Sequence, residues 1–207
     1  MDVMAALAAR RAVKKFDPEH KMPEAEIRAL VDAAVLSPTA FNIQNWRFVL
    51  VTDQAQKDAL RAVAWNQAQF SDCSLLVIVC GDLQAHTREP ERFWRHPPDA
   101  AKAIVPMITS YYEGNERAQH DEVLRSGSMA AQSIMLAAQE LGYESCPMSG
   151  FDFAKVAQLI ELPDDHEIVM AVAIGRGLEP ARERSGPIPL SEVVARDRFP
   201  TGEYEDR

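Results

Sequence analysis

The run Ile168-Val169-Met170-Ala171-Val172-Ala173-Ile174 most narrows what this chain can fold into. It is continuously apolar, rich in β-branched residues and closed by Gly175, which predicts a buried strand. Leu75-Leu76-Val77-Ile78-Val79-Cys80 is a second such run, and Phe48-Val49-Leu50-Val51 a shorter one. These stretches are too short to cross a bilayer. Strands that need cover must be packed under helices, and helical patterns lie between them without the regular alternation of a Rossmann unit. An α+β layered sandwich follows. At 207 residues the chain has the length for one domain with a full core, so residues 1–207 are read as a single domain.

The helical patterns are placed by their caps and apolar spacing. Val3, Ala6 and Leu7 suggest a short helix ending near Arg10. Pro23 reads as the first residue of a helix whose apolar face is Ile27, Leu30, Val31, Ala34 and Val35, stopped by Ser37-Pro38. Thr52 or Asp53 caps a third helix. Asp82–Pro98 reads as a polar loop or lid, with Asp99 capping the helix that carries Ile104 and Ile108. A longer helix is expected over about Asp121–Leu141, closed by Gly142. Within it Gly127 signals either a close packing contact, such as a subunit interface, or a local weakness. Asp152 caps a helix bearing Val156.

Net charge excludes several partners. With 31 acids against 22 bases the formal charge is −9, which argues against nucleic acid and anionic membrane surfaces. Cys73, Cys80 and Cys146 are odd in number and form no CxxC pair, and the five histidines show no ligand spacing, so no metal site is expected. The N-terminus lacks the charge order of a signal peptide, and a cytoplasmic location is expected.

Against that acidic background, Arg10-Arg11-Ala12-Val13-Lys14-Lys15 packs four cations into six residues. If the first helix continued that far, Arg10 and Lys14 would share one side of it. Arg182 and Arg184 offer a second source of cations for the same anion, since a phosphate needs donors from separate parts of a chain. Each of these charges is also readable as a solvated face. In the loop Thr39–Asn45, the amides of Asn42 and Gln44 carry the paired donor and acceptor that suit a flavin or pterin edge, while the same composition suits a plain helix-to-strand connection. Trp46 reads as a core anchor. Phe41, Tyr111 and Tyr112 are candidates for a substrate channel or for ordinary packing.

Taken in order, these pieces resemble a known family. Arg10–Phe16 is similar to the opening Arg-x-Ser-x-Lys/Arg-x-Phe/Tyr motif of the FMN-dependent nitroreductases, and Ser37–Trp46 to their Ser-Pro-Ser-x-x-Asn-x-Gln-Pro-Trp loop. Trp65–Gln69 resembles their Asn-x-x-Lys/Gln segment, and Met148–Asp152 their Gly-Phe-Asp turn. The Ile174-Gly175 strand end and the Arg182/Arg184 tail also correspond.

The resemblance implies a three-layer αβα sandwich around a mixed, mainly antiparallel sheet, in a homodimer with FMN at the interface. The tail 176–207 would wrap the partner subunit. Arg10, Arg11, Ala12, Arg182 and Arg184 would lie at the FMN phosphate or its chain, with Lys14, Asn66 and Gln69 at the pyrimidine edge. Ser149 and Gly150 would offer backbone N–H groups, and Pro38, Thr39, Ala40 and Asn42 would come from the partner. The implied activity is hydride transfer from NAD(P)H to a nitroaromatic, quinone or similar electron-poor acceptor by a ping-pong cycle. The flavin carries the chemistry, Lys14 supports its reduced form, and no catalytic side chain is needed. The chain departs from the pattern at Ala12, which removes a hydroxyl donor, at Asn45 for proline, and at Gln69, which removes a charge. These departures keep two alternatives in view: a flavin-binding or flavin-degrading protein with little NAD(P)H turnover, and a non-redox binder of another phosphorylated ligand.

Overall fold

A computed structural model describes residues 2–97 and 99–199. Four strands form one sheet in the order β1 (Trp46–Val51), β2 (Leu75–Asp82), β4 (His166–Gly175), β3 (Glu144–Met148). All three pairings are antiparallel: Trp46 faces Gly81, Leu75 faces Ile174, and Glu144 faces Gly175. Among the described residues a parallel contact enters at the outer edge of β3, where Ala12 bridges Ser145.

The continuous apolar runs are explained by cover on both faces. Leu76, Ile78 and Cys80 of β2 point to one side, against Leu60 of α3 (Gln54–Val63), Phe70 of α4 (Gln69–Asp72) and Val156 of α7 (Phe153–Leu159). Leu75, Val77 and Val79 point to the other, against Ile27 and Leu30 of α2 (Glu24–Ala34) and Ile134 of α6 (Glu116–Glu140). The result is the expected three layers, helix on sheet on helix. Each fully buried Leu or Ile in these layers contributes about 2 kcal/mol of hydrophobic stabilisation.

Several boundaries differ from the sequence reading for local reasons. Pro23 is the cap residue of α2 rather than its first member, and Val35 is exposed just past the helix. Asp53 and Asp152 accept from Gln56 N and Lys155 N as expected of caps. Asp99 does not cap α5 (Ala100–Tyr112): its carboxylate takes the Lys102 ammonium at 2.9 Å instead. The long helix α6 begins five residues earlier than Asp121, at Glu116, because Asn115 accepts from Ala118 N. Gly142 closes it with φ +79°, a left-handed position that glycine adopts freely.

Gly127 is explained by packing, and inside this chain. A Cβ there would meet Val169 Cγ2 of β4 at 2.6 Å, so the bare backbone lets α6 lie close on the sheet. The segment after β2 forms short 3-10 turns at Ala85–Thr87 and Pro90–Trp94. Among the described residues no helix is long and apolar enough to cross a membrane.

Candidate functional site

The helix α1 (Val3–Ala9) ends at Arg10, so Arg10 and Lys14 do not share a helical turn. The chain continues extended instead. Val13 N donates to Ser145 O at 3.1 Å, which lays the segment along β3. On its other side Asp17 N donates to Arg176 O at 2.9 Å and Leu178 N to Lys15 O at 3.0 Å. These bonds return the chain after β4 to the N-terminal cations. Arg10, Arg11, Lys14 and Lys15 therefore line one cavity with Arg182 and Arg184, of about 1120 Å³, whose wall also includes Ala12.

The cations in that cavity are only lightly engaged. Arg184 Nη2 donates to Arg10 O at 2.9 Å and Ala8 O at 3.1 Å, closing the C-terminal carbonyls of α1. Arg11 donates to Arg182 O. Lys15 pairs with Glu179 at 2.6 Å, both side chains being mostly exposed. Lys14 Nζ contacts Cys146 Sγ at 3.3 Å and has no ion-pair partner among the described residues.

Lys14 leads along β3 towards the next group. Ser149 and Gly150 follow that strand, and Gln67 Nε2 donates to Gly150 O at 2.6 Å. Trp65 packs over Gly150 so closely that a Cβ there would lie 2.7 Å from the indole. Trp65 and Asn66 both have positive φ, at 51° and 56°, and Asn66 Oδ1 accepts from Arg61 Nε at 2.8 Å. Gln69 is buried at the start of α4.

The loop carrying Pro38, Thr39, Ala40, Asn42 and Gln44 lies elsewhere, and none of these residues lines the cationic cavity. It is anchored to α6. Glu122, 5% exposed, accepts from Ala40 N at 2.8 Å and from Ser126 Oγ at 2.6 Å. Gln44 N donates to Thr39 Oγ1 at 3.0 Å, and Asn42 Nδ2 donates to Phe93 O at 2.9 Å. Phe41, Asn42 and Gln44 all have positive φ. Strained backbone of this kind persists where the surroundings over-determine it, and it clusters at functional sites. Among the described non-glycine residues with positive φ, Phe41, Asn42, Gln44, Trp65 and Asn66 lie in two of the segments that carry the family resemblance, and Glu89, Glu161 and Asp197 lie outside them.

The aromatic candidates do meet. Phe41 lies 5.8 Å from Tyr111 and 6.1 Å from Tyr112, centroid to centroid. Tyr112 is buried in a core cluster with Ile43 and Ile108, and burial pushes its hydroxyl pKa up. Within this chain Tyr112 is therefore packed in the core, whereas Tyr111 is half exposed. Trp46 is a buried anchor stacked on Phe48, as its position at the strand start predicts.

Known proteins share this fold. The sequence profile of the Nitroreductase family matches residues 7–176. The chain belongs to the nitroreductase family. It is 45% identical over 200 residues to protein DrgA of Synechocystis sp., covering 94% of this chain and 95% of that one. YodC of Bacillus subtilis, provisionally named an NAD(P)H nitroreductase, is 29% identical over 198 residues, covering 93% of this chain and 97% of that one. A provisionally named nitroreductase from Exiguobacterium sibiricum, solved in complex with FMN, superposes with a TM-score of 0.88 at 25% identity. That match covers 95% of this chain and 98% of the other. Membership in this family makes the protein an oxidoreductase of nitroreductase-like fold.

The donor chemistry of this nitroreductase's cavity fits FMN. Six guanidinium and ammonium groups from two separate segments line it, as a phosphate requires, against the two carboxylates of Glu179 and Glu183, and Lys14 has no ion-pair partner among the described residues. The sequence reading missed two features. One is Glu122, which looks like a solvated acid on a helix until the Ala40 loop is placed on it. The other is buried Asp82, held by Arg47 at 2.9 Å and Arg88 at 2.7 Å beside Asp165 and His166. Two arginines already balance this acidic group, so it reads as a structural clamp between β1, β2 and the turn that follows. Burial also pushes the nearby His86 imidazole down from its ordinary pKa, where it packs against Tyr112 at 5.7 Å.

Proposed function

We propose that this protein is a cytoplasmic, homodimeric FMN-dependent oxidoreductase that uses NAD(P)H to reduce nitroaromatic, quinone or related electron-poor acceptors. The observation that carries this reading is the convergence of Arg10, Arg11, Lys14, Lys15, Arg182 and Arg184 on one cavity large enough for a nucleotide. The three free, buried cysteines agree with a reducing compartment.

FMN, when bound, supplies hydride transfer from NAD(P)H to the acceptor in two successive half-reactions. The chain's own residues bind and orient. Arg10, Arg11, Arg182 and Arg184 would hold the phosphate. Ala12 leaves the hydrogen bonding there to those guanidiniums. Lys14 supplies a cation for the negative charge that develops at the pyrimidine edge, with Asn66 and Gln69 as neighbouring amides. The backbone N–H groups of Ser149 and Gly150 are donors for the ring.

Pro38, Thr39, Ala40 and Asn42 would complete the site from the partner subunit, and the amide of Gln44 in the same loop would face the flavin ring edge. Their separation from the cationic cavity within one chain supports that assignment. Residues 1–207 would act as one FMN-binding domain whose tail from 176 exchanges between subunits. Two features support the exchange. Ile188, Leu190, Val193 and Phe199 are exposed along the tail, and the outer edge of β1 has no strand partner among the described residues. Residues 200–207 of that tail lie outside the described residues. Phe41 and Tyr111 would border the acceptor.

The test is the visible absorption spectrum after incubation with FMN and gel filtration, followed by NAD(P)H oxidation with menadione or a nitroarene. Retention of about one flavin per chain with turnover is expected from a site of this kind. A colourless protein would overturn the flavin reading, and a yellow one that leaves NAD(P)H untouched would overturn the oxidoreductase mechanism.

A further inference from the structure

A second cationic group lies outside the cavity described above. Arg92, Arg95 and His96, all exposed on and after the turn Pro90–Trp94, line a cleft of about 680 Å³ with Gln44, Trp46 and Arg47. Arg47 is already engaged, by Asp82 Oδ2 and the carbonyls of Gln44 and Trp46. Arg92 and Arg95 have no ion-pair partner among the described residues, and Arg92 lies over the Phe93 ring at 4.9 Å from its centroid. No carboxylate is among the described residues that line this cleft. Trp46, 9% exposed, lines it too, and its Nε1–H finds no acceptor among the described residues. Two planar forks with no carboxylate partner among the described residues are suited to a doubly charged anion.

The cleft is tied to the polar loop. Trp94 Nε1 donates to Phe41 O and Asn42 Nδ2 donates to Phe93 O, both at 2.9 Å, and Gln44 belongs to both loop and cleft. It therefore opens beside the segment assigned above to the redox site. A neutral nitroarene or quinone offers these guanidiniums no partner. The hydride donor does: NADPH differs from NADH only by a 2′-phosphate, which is largely dianionic at neutral pH.

We infer that Arg92 and Arg95 recognise the 2′-phosphate of the hydride donor and make the protein selective for NADPH over NADH. The inference rests on the proposed NAD(P)H-dependent function. Its test is calorimetric titration of the FMN-incubated protein with 2′,5′-ADP and with 5′-AMP, and of the variants Arg92→Gln/Arg95→Gln and Lys102→Gln. The native protein should bind 2′,5′-ADP at least about tenfold more tightly than 5′-AMP, with a preference that shrinks as salt rises. The double variant should bind the two alike. Lys102→Gln, which removes the same kind of charge outside the cleft, should keep the preference. Equal affinities in the native protein, no binding of either probe, or a preference that survives the double substitution would each overturn the inference. The visible spectrum of the same sample separates the two readings. A yellow protein without the preference overturns only the NADPH selectivity, and a colourless protein with it supports the cleft while overturning the flavin reading.

Discussion

The cationic cavity and the loop 38–44 are both polar, yet they hold their polar groups in opposite ways. In the cavity, long exposed side chains reach backbone carbonyls or a single exposed carboxylate, and Lys14 has only a thiol. In the loop, short groups are fixed by a buried carboxylate, a neighbouring threonine and the backbone of the turn Pro90–Trp94. The cavity can release its present contacts to an anion at little cost, since exposed pairs are worth under about 1 kcal/mol. The loop cannot rearrange without stranding buried donors. One region is built to receive a ligand, and the other to keep a strained shape.

The sharpest way to break this contrast is Glu122→Ala. Its carboxylate serves Ala40 N–H and Ser126 O–H in a buried place, and charge-assisted bonds of this kind are worth about 1.5–3 kcal/mol each. A loss of about 3 kcal/mol in chemical denaturation is expected, because Ser126 can turn back to a helix carbonyl and recover part of its bond. Glu122→Gln keeps an acceptor and should lose about 1 kcal/mol. If the alanine variant denatured like the native protein, the loop would not depend on its anchor.

Lys14→Met tests the other region, and here the effect should be on chemistry. Removing one preorganised cation from a site of developing charge slows reduction of the bound flavin, by about tenfold to a hundredfold. Stability should stay within about 0.5 kcal/mol, since the ammonium is exposed and its one partner is a thiol. Stopped-flow reduction beside a denaturation curve reads both quantities. Unchanged reduction kinetics would remove Lys14 from the proposed site.

How much of this was legible in the sequence follows from the range of each interaction. The strands could be read because cover on both faces leaves continuous apolar runs at 75–80 and 168–174. The sheet order β1-β2-β4-β3 could not, because β2 pairs with a strand about ninety residues away. The start of α6 was misplaced because Glu116–His120 is polar and carries no apolar period, so only Asn115 marks it. The cations at 10–15 and 182–184 stand out by composition, but their meeting depends on the backbone pairing of 15–17 with 176–178. Glu122 and Arg95 look like ordinary surface charges, because burial and the lack of a partner are properties of the fold.

Arg184→Gln probes a side chain that serves both fold and ligand. Its guanidinium closes the carbonyls of Leu7, Ala8 and Arg10, and losing a cation there should destabilise α1 by about 1 kcal/mol. FMN retention on gel filtration should fall at the same time, and added inorganic phosphate should protect the native protein against heat more than the variant. A variant that binds FMN normally but loses stability would make Arg184 a helix cap alone.

Lys15→Gln should do least to the fold. The Lys15–Glu179 contact joins two side chains about 60% exposed, and exposed pairs of this kind contribute about 0.2–1 kcal/mol, screened further by salt. A change under about 0.5 kcal/mol in denaturation at moderate salt is expected, with a small weakening of FMN retention at low salt because the ammonium also lines the cavity. The low-salt result discriminates. If Lys15→Gln cost as much stability as Glu122→Gln, the cavity's cations would be structural props like the loop's buried carboxylate. Phosphate would then have to displace them at a cost, and the difference between the two regions would disappear.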